Sequence, residues 1–244
     1  MIAGISTRLG PADAALRRLR ALGDLDAAAI AAIEAASTRS RCLAPHEEIL
    51  SERERISGAT LLLEGWAMQV RVLADGRRQI LDFLLPGDLI GHCHQEAPVA
   101  SSTVITLTRA RICPAPDPMV SPTLDHAYRM SLALDEAHYL RQITRLGRMN
   151  AHERTLDLFL ELYDRLALAG LATDGSFAMP ATQEVLADLL GLTSVHINRV
   201  IQQMRKLGEI GWSRGHLELH DLAAQRDLLG WHPVHVSSRW PRRD

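Results

Sequence analysis

The spacing of hydrophobic residues changes twice along the chain and divides it into three regions. Between residues 11 and 36, apolar side chains recur every three or four positions, which predicts helices interrupted at Gly23-Asp24. From Arg41 onward the apolar residues form short runs separated by Gly, Asp and Pro, a pattern typical of strands and turns. After a proline-rich stretch at 114–122 the helical spacing returns. The pattern therefore predicts helices, then a strand-rich unit, then helices again.

The strand-rich unit contains several short apolar runs, which are residues 47–50, 59–63, 67–73, 79–85, 101–107 and 110–113. Asp75-Gly76 lies between two of them and is the clearest hairpin signal, because glycine supplies the positive φ that a tight turn needs. Regular spacing of such strands and turns predicts a sandwich or a small barrel.

A long helix is predicted after the prolines, and a second from about residue 150 to residue 169. Four apolar residues of the first follow approximate coiled-coil spacing, namely Leu132, Tyr139, Ile143 and Leu146. Such a stripe either packs on the chain's own barrel or forms the contact between two copies. We expect the second arrangement, because a long helix between two domains is a natural dimer interface.

Residues 182–206 predict two short helices joined by a tight turn. Gly191 breaks the apolar pattern of the first helix, and Leu192, which follows it, is expected to pack between the two helices. Thr193 suits the N-cap of the second helix, since its hydroxyl can accept a bond from a free N–H of the first turn. The inner side of the second helix is apolar, with Ile197, Val200, Ile201 and Met204. This is the pattern of a helix-turn-helix with the second helix as the recognition helix.

The outer side of the recognition helix carries Ser194, His196, Asn198, Arg199, Gln202 and Gln203. Short hydrogen-bonding side chains and a guanidinium suit the base edges of the major groove. Two amphipathic helices around a glycine also occur in ordinary helical domains. DNA binding is favoured here because residues 193–208 contain no acidic residue, and because residues 210–220 predict a two-stranded wing around Ser213-Arg214-Gly215.

Composition narrows the class of protein. The chain has 244 residues, 47% hydrophobic and 23% charged, with a formal net charge of −2. These values are those of an ordinary globular protein and argue against nonspecific coating of nucleic acid, but they allow local positive charge on a DNA-binding face. No signal peptide or membrane-spanning run is evident. Three scattered cysteines, Cys42, Cys93 and Cys113, predict reduced thiols and a cytoplasmic location.

Motifs of enzymes are missing from the sequence. It has no glycine-rich phosphate loop, no His-Glu-x-x-His and no Gly-x-Ser-x-Gly. The turn Pro86-Gly87-Asp88 is explained as a structural turn. We therefore expect no enzyme activity.

The order of these elements, and several phrases within them, resembles the Crp/Fnr family of bacterial transcription regulators. The similar phrases are residues 65–67, 75–88, 133–137, 146–148, 151–154 and 182–199. The resemblance implies an α+β fold with an N-terminal jelly-roll β-barrel of the cyclic-nucleotide-binding type, a long dimerisation helix and a C-terminal winged helix-turn-helix. The expected units are 1–122 for the N-terminal helices and sensor barrel, 123–149 for the dimerisation helix, 150–230 for the DNA-binding domain, and 231–244 for a loose tail.

The resemblance also implies which residues meet DNA. Thr182 and Gln183 would touch phosphates, the wing would contribute Arg214, and the groove would be faced by Ser194, Val195, His196, Asn198 and Arg199. Arg199 is the residue expected to bind a guanine through O6 and N7, with a phosphate contact or a neighbouring acid as the alternative. Asn198 is expected on an adenine or a phosphate, and His196 is either a contact or a solvated imidazole. Val195 stands where many members carry a base-reading Glu, so a thymine methyl contact is expected instead.

The same resemblance implies three partners, which are double-stranded DNA with a palindromic operator, a second copy of the chain, and RNA polymerase. No membrane partner is expected. Dimerisation would place two recognition helices about one DNA turn apart, roughly 34 Å. The signal would be sensed in or near the barrel and passed on by the long helices. The alternative is a sensor or scaffold that binds a small molecule, haem or metal and acts through protein contacts rather than DNA.

The barrel departs from the members of that family that bind cyclic nucleotides. They hold the ribose with a Glu shortly after Pro-Gly-Asp and the phosphate with an Arg, whereas here Gly91 runs into His92-Cys93-His94 and the expected Arg region is Ala100-Ser-Ser-Thr103. Weak or no cyclic AMP binding is therefore expected, and no cofactor is predicted. His92 and His94 are candidates for binding an effector, haem or metal if a strand places them on one face; the alternative is an exposed polar loop.

Overall fold

The computed structural model describes residue 10, residues 12–93, residues 95–234 and residue 236. Two helices open the fold, α1 (Asp13–Leu22) and α2 (Ala27–Ser37), separated at the predicted Gly23-Asp24 break. The carboxylate of Asp26 caps α2 by accepting the N–H of Ala29. Leu16, Leu19 and Ile33 are buried, as the apolar spacing predicted.

Two antiparallel sheets follow and pack as a jelly-roll barrel. Their strands are β1 (Arg41–Leu43), β2 (Glu48–Leu50), β3 (Thr60–Glu64), β4 (Ala67–Val72), β5 (Arg78–Leu84), β6 (Leu89–Ile90), β7 (Thr103–Thr106) and β8 (Ala110–Pro114). One sheet has the order β1-β8-β3-β6 and the other β2-β7-β4-β5. The predicted runs all became strands, whereas β1 and β6 were not predicted. β6 is only two residues long and gives no alternation to detect.

The predicted hairpin at Asp75-Gly76 joins β4 to β5. Its loop spans five residues, because the last paired positions are Val72 and Arg78. Gly76 has φ +84°, and its N–H donates to the carbonyl of Leu73. The glycine therefore has the role predicted for it, within a longer loop than a two-residue turn.

The long helix α3 (Pro122–Arg148) and the next helix α4 (Ala151–Leu168) begin at clear caps. Ser121 caps α3 by accepting the N–H groups of Thr123 and Leu124, and Pro122 occupies the first turn, where its missing N–H costs nothing. Asn150 and Glu153 form a reciprocal capping box at α4. The extended backbone at Met149 separates the two helices.

The C-terminal unit is a winged helix-turn-helix. The two-helix motif is α5 (Gln183–Leu190) and α6 (Ser194–Lys206), and a four-stranded sheet of order β11-β12-β10-β9 lies beside it. Its strands are β9 (Ala172–Thr173), β10 (Ser176–Ala178), β11 (Ile210–Ser213) and β12 (His216–Leu219), and α7 (Leu222–Leu229) follows. The β11–β12 wing was predicted. The pair β9–β10 and helix α7 were not.

The prediction of a loose tail from Trp231 onward is wrong at its first residue. Trp231 is buried, and its indole N–H donates to the Asp164 carboxylate at 3.0 Å. The guanidinium carbon of Arg141 lies 3.4 Å from the centre of the Trp231 ring. The aromatic body and polar edge of tryptophan satisfy both contacts, which hold Trp231 against α3 and α4. Arg239, Arg242 and Arg243 lie outside the described residues.

No helix in the described ranges is long and apolar enough to cross a membrane.

Candidate nucleic-acid interface

The turn of the two-helix motif has the geometry expected from its sequence. Gly191 ends α5 in the left-handed conformation, with φ +64° and ψ +37°. A side chain there would be strained because L-residues avoid that region of φ and ψ. Thr193 then caps α6 by accepting the N–H of His196 at 3.2 Å. The predicted break and cap are both confirmed.

Helix α6 has two opposite sides. Ile197, Val200, Ile201 and Met204 are buried against the rest of the domain, as predicted. The expected groove-facing residues are all exposed, and they are Ser194, Val195, His196, Asn198 and Arg199. The free N-terminal N–H groups and partial positive charge of α6 favour a phosphate near this end. As far as the structure describes the chain, the exposed side of α6 is therefore free to enter a groove of DNA.

Asn198 and Gln183 connect the two helices of the motif. The amide nitrogen of Asn198 donates to the side-chain oxygen of Gln183 at 2.7 Å. This bond leaves the Gln183 NH₂ group to donate outward, and a donor is what a phosphate oxygen needs. Gln183 thus suits the phosphate contact expected of it, and Asn198 positions Gln183 while presenting its own carbonyl oxygen.

Arg199 and Val195 are the most informative positions for base recognition. Within the described ranges, the Arg199 guanidinium makes no hydrogen bond or ion pair, so its donors are available for a ligand. Val195 is 60% exposed at the start of the helix. An exposed apolar side chain at this place can contact a thymine methyl but cannot accept from a cytosine amino group.

Arg214 lies at the tip of the wing. Ser213 pairs with His216, so the loop is the two residues Arg214 and Gly215. Both have positive φ, 50° and 75°, which is the requirement of a type I′ hairpin turn. An exposed arginine at the tip of a wing is well placed for a phosphate and poorly fixed for a base.

Replacing Arg214 with Asn is expected to weaken binding to all DNA sequences by a similar factor. Asparagine tolerates positive φ and forms the favoured Asn-Gly turn, so the wing is kept while its charge is removed. Each lost phosphate contact should reduce the slope of log affinity against log salt by about 1. A salt titration on specific and scrambled duplexes measures this. A loss confined to one sequence would show that Arg214 reads a base.

The C-terminal end of α5 is held by side chains from three other elements. Gln79 of β5 donates to the carbonyls of Asp188 and Leu189, and Gln142 of α3 donates to that of Leu189 at 2.8 Å. Arg154 of α4 donates to the carbonyl of Leu190 at 3.1 Å. These bonds satisfy carbonyls that a helix end otherwise leaves unpaired.

The barrel also makes an ion pair with α5. Arg78 of β5 contacts Asp188 with N–O distances of 2.6 and 2.9 Å. Periodicity gave no signal for Arg78 and Gln79, because their contacts with Asp188 join positions 110 and 109 residues apart. The position of the two-helix motif therefore depends directly on strand β5.

The expected dimer residues share one face of α3. Tyr139 and Ile143 are exposed, whereas Leu132 and Leu146 are partly buried. Leu140, which sequence spacing did not select, is also exposed on this side. The Tyr139 hydroxyl donates to Gln69 of the barrel. The stripe therefore contacts the chain's own barrel at this edge, and dimerisation through its exposed residues stays a prediction.

The barrel interior is filled by apolar side chains, which are Leu43, Leu62, Ala67, Leu84, Ile90, Val104, Ala110 and Ile112. In the region where a phosphate-binding arginine was sought, Ser102 is buried and accepts a hydrogen bond from Gln69. The buried arginines of the described chain, Arg18, Arg145 and Arg165, are all paired with carboxylates. Weak binding of cyclic AMP stays a prediction, and these contacts support it.

A site for an effector, haem or metal at His92 and His94 would need a strand that places both side chains on one face, but strand β6 ends before His92. β6 ends at Ile90, and His92 follows Gly91 outside the strand. The His92 ring packs edge-on against Tyr128 with centroids 5.4 Å apart. His94 lies outside the described residues, and among those that are described no three His, Cys, Asp or Glu side chains are grouped to hold a metal.

A buried ion network joins the barrel to the helices. Asp88, from the Pro86–Asp88 turn, contacts Arg18 of α1 at 2.6 Å and Arg165 of α4 at 3.1 Å. Arg165 also contacts Asp82 of β5 at 2.8 Å and Glu161 at 3.3 Å. Burial raises the pKa of Asp82 to about 6, although Arg165 opposes the shift. The turn predicted as merely structural is therefore the anchor of the barrel on the helices.

Gly87 is required at that turn because Arg18 lies across it. A Cβ at Gly87 would meet Arg18 carbons at 2.8 and 2.9 Å, and the residue has φ +96°. The carbonyl of Gly87 accepts a hydrogen bond from Arg18 at 2.8 Å.

Comparison with known families and proteins matches both halves of the chain. The cyclic nucleotide-binding domain matches residues 40–118, and the Crp-like helix-turn-helix domain matches residues 153–237. The transcriptional activatory protein AadR of Rhodopseudomonas palustris is 31% identical over 173 residues, covering 66% of this chain and 69% of AadR. The nitrogen fixation regulation protein FixK of Bradyrhizobium diazoefficiens is 28% identical over 215 residues, covering 86% of this chain and 90% of FixK.

A solved structure has the same fold. That of FixK2 from Bradyrhizobium japonicum superposes with a TM-score of 0.66 at 23% identity, covering 81% of this chain and 98% of that one.

Proposed function

The chain belongs to the Crp/Fnr family of DNA-binding transcription regulators, and we propose that it acts as a homodimer on a palindromic operator. The observation that carries this proposal is the exposed side of α6, where Arg199 has no partner among the described residues. Arg199 binds a guanine in each half-site, Val195 contacts a thymine methyl, and Gln183 and Arg214 bind phosphates. Thr182 and Ser194, at the helix starts, lie beside the same backbone.

The exposed face of α3 supports the dimer. Ile143 is 67% exposed and Leu140 60%, and both lie on the side of the helix opposite the buried Arg145. Apolar residues repeated along one side of a long helix are stabilised by packing on a second copy. A symmetric pair of such helices places two recognition helices on the same side of DNA, with half-sites about one helical turn apart.

A scaffold that acts only through protein contacts is less well supported. It gives no reason for a recognition helix whose outer side lacks acids and carries an unpaired arginine. A regulator of this class acts on promoters, so RNA polymerase and the cytoplasm are the proposed partner and location. The proposed sensing unit is the barrel, through β5, because Arg78 and Gln79 contact the end of α5 directly.

Replacing Ile143 with Glu is expected to dissociate the dimer. The charge would have to be buried between the two copies, so the dimer dissociation constant should rise by at least about 100-fold. Sedimentation across a concentration series measures it, and a full palindrome compared with a single half-site shows the loss of paired binding. Leu228→Glu is the matched control, since Leu228 is 65% exposed on α7 and its substitution should leave both measurements unchanged. An unchanged dimer with Ile143→Glu would remove α3 as the interface.

A further inference from the structure

The segment that follows α7 returns to the N-terminal core of the chain. We call its described residues, 231–234 and 236, the C-terminal strap. Val234 and Val236 are half-buried and pack against the hydrophobic cluster that α1, α2 and α3 form with the barrel. Within the described ranges, every other member of that cluster lies before residue 135. The strap therefore connects the DNA-binding domain to the N-terminal unit.

Trp231 anchors the strap where it leaves α7. Its side chain is buried, its backbone N–H donates to the carbonyl of Arg226 at 2.7 Å, and its indole N–H donates to Asp164 of α4 at 3.0 Å. Arg141 of α3 lies over the indole ring and also donates to the carbonyl of His232 at 3.3 Å. A buried indole whose N–H is satisfied and whose face carries a cation makes a stable contact. The start of the strap is therefore bound to α3 as well as to α4.

Helix α3 holds the DNA-binding domain through two neighbouring residues. Arg141 contacts the strap, and Gln142 donates to the carbonyl of Leu189 at the end of α5. Neighbouring residues of a helix point about 100° apart, so the two contacts come from different directions. The backbone between α3 and α4 is extended at Met149, and a single contact would let the domain rotate about this joint. The second contact opposes that rotation.

The angle between α3 and the DNA-binding domain matters because α3 carries the proposed dimer face. In a dimer joined along α3, this angle fixes the distance and the relative rotation of the two recognition helices. Binding to the second half-site is then intramolecular, and its effective concentration depends on how rigidly the second recognition helix is held. A rigid dimer binds one half-site spacing tightly, whereas a loose dimer binds several spacings less tightly.

We propose that the C-terminal strap determines which half-site spacing the dimer accepts, with Trp231 and Val234 as its positioning residues. Trp231 fixes the strap to the DNA-binding domain and to α3, and Val234 fixes it to the N-terminal core. Both act through the position of α6 and contact no base. The proposal rests on the proposed function, since a spacing has meaning only for a dimer on a palindrome. Release of either anchor leaves each recognition helix intact but frees its angle to α3.

The test measures the affinity of the full chain for a single half-site, for the palindrome that wild type selects, and for that palindrome with two base pairs added at its centre. The added base pairs turn one half-site by about 70° around the duplex and move it by about 7 Å. Wild type should bind the lengthened duplex at least about 30-fold more weakly than the palindrome. For Trp231→Ala and for Val234→Asp this loss should be less than about threefold, and affinity for the single half-site should stay within about twofold of wild type.

His232→Ala is the matched control for these variants. The His232 side chain is exposed, and its contact with Arg141 is made by the backbone carbonyl, which the substitution keeps. Its spacing dependence should equal that of wild type. Val234→Asp separates the strap from a local effect of Trp231 on α7, because Val234 packs on the N-terminal cluster. This variant also decides the test if Trp231→Ala does not fold.

A wild-type spacing dependence in either folded variant would overturn the proposal. If Trp231→Ala alone lost the dependence, the tryptophan would act within the DNA-binding domain and not through the strap. Failure of wild type to bind the single half-site, or half-site binding that Arg199→Ala does not weaken, would contradict the proposed function instead.

Discussion

Replacing Arg165 with Ala should lower the free energy of unfolding by about 3–5 kcal/mol, because removing one member of a buried ion network leaves its partners uncompensated. Arg165 is 6% exposed, and its guanidinium contacts Asp82 at 2.8 Å and Asp88 at 3.1 Å. It also donates to the carbonyl of Phe83 at 2.7 Å. Asp88 would keep Arg18, but Asp82 would be left buried without a cation.

Urea unfolding at pH 7 measures this loss. Arg226→Ala is the matched control, since Arg226 pairs with Asp164 at a partly exposed site and should cost about 1 kcal/mol or less. Adding Asp82→Asn to Arg165→Ala should recover part of the stability, because it removes the stranded charge. A loss below about 1 kcal/mol for Arg165→Ala would mean that the network contributes little to the fold.

Replacing Arg199 with Ala should abolish most of the preference for the operator. A bidentate contact to guanine is worth about 1–3 kcal/mol, so a dimer that loses two such contacts loses roughly 2–6 kcal/mol. That corresponds to a fall in operator affinity of about 30-fold to 10⁴-fold. The guanine position should become tolerant of other bases. Arg199 is exposed and unpaired in the described chain, so the free energy of unfolding should change by no more than about 0.5 kcal/mol.

Fluorescence anisotropy with the operator and with duplexes altered at one base pair measures both effects. Arg205→Ala is the control, because Arg205 is an exposed arginine in the last turn of the same helix. It should weaken binding modestly and equally on every duplex. If Arg199→Ala weakened all duplexes equally, the residue would be a phosphate contact instead.

Local features of the fold were predictable from the sequence because local chemistry determines them. Gly191, Thr193 and the apolar side of α6 specify the two-helix motif with signals that lie within a few residues of each other. The wing follows from two alternating runs around Arg214-Gly215, and the barrel strands follow from short apolar runs between turn residues. The residues expected to face the groove lie on the side of α6 that is not buried.

Contacts between distant elements were not predictable in this way. The Arg78–Asp188 pair joins positions 110 residues apart, and Arg18–Asp88 joins α1 to a turn of the barrel. Neither ion pair produces a periodic pattern in the sequence from which it could be predicted. Trp231 was assigned to a tail because the segment that it begins is rich in proline and arginine, although its indole ring packs against α3 and α4. Strands β9 and β6 have two residues each, too few for any alternation.

The most direct test of the account is the selection of bound sequences from a random DNA pool with the purified chain. We expect a palindrome with two half-sites about one helical turn apart, each with a guanine whose selection disappears with Arg199→Ala. The pool should be tested with and without cell extract, so that a missing effector does not hide the site. An absence of enrichment under all of these conditions, or enrichment that Arg199→Ala does not alter, would contradict the account.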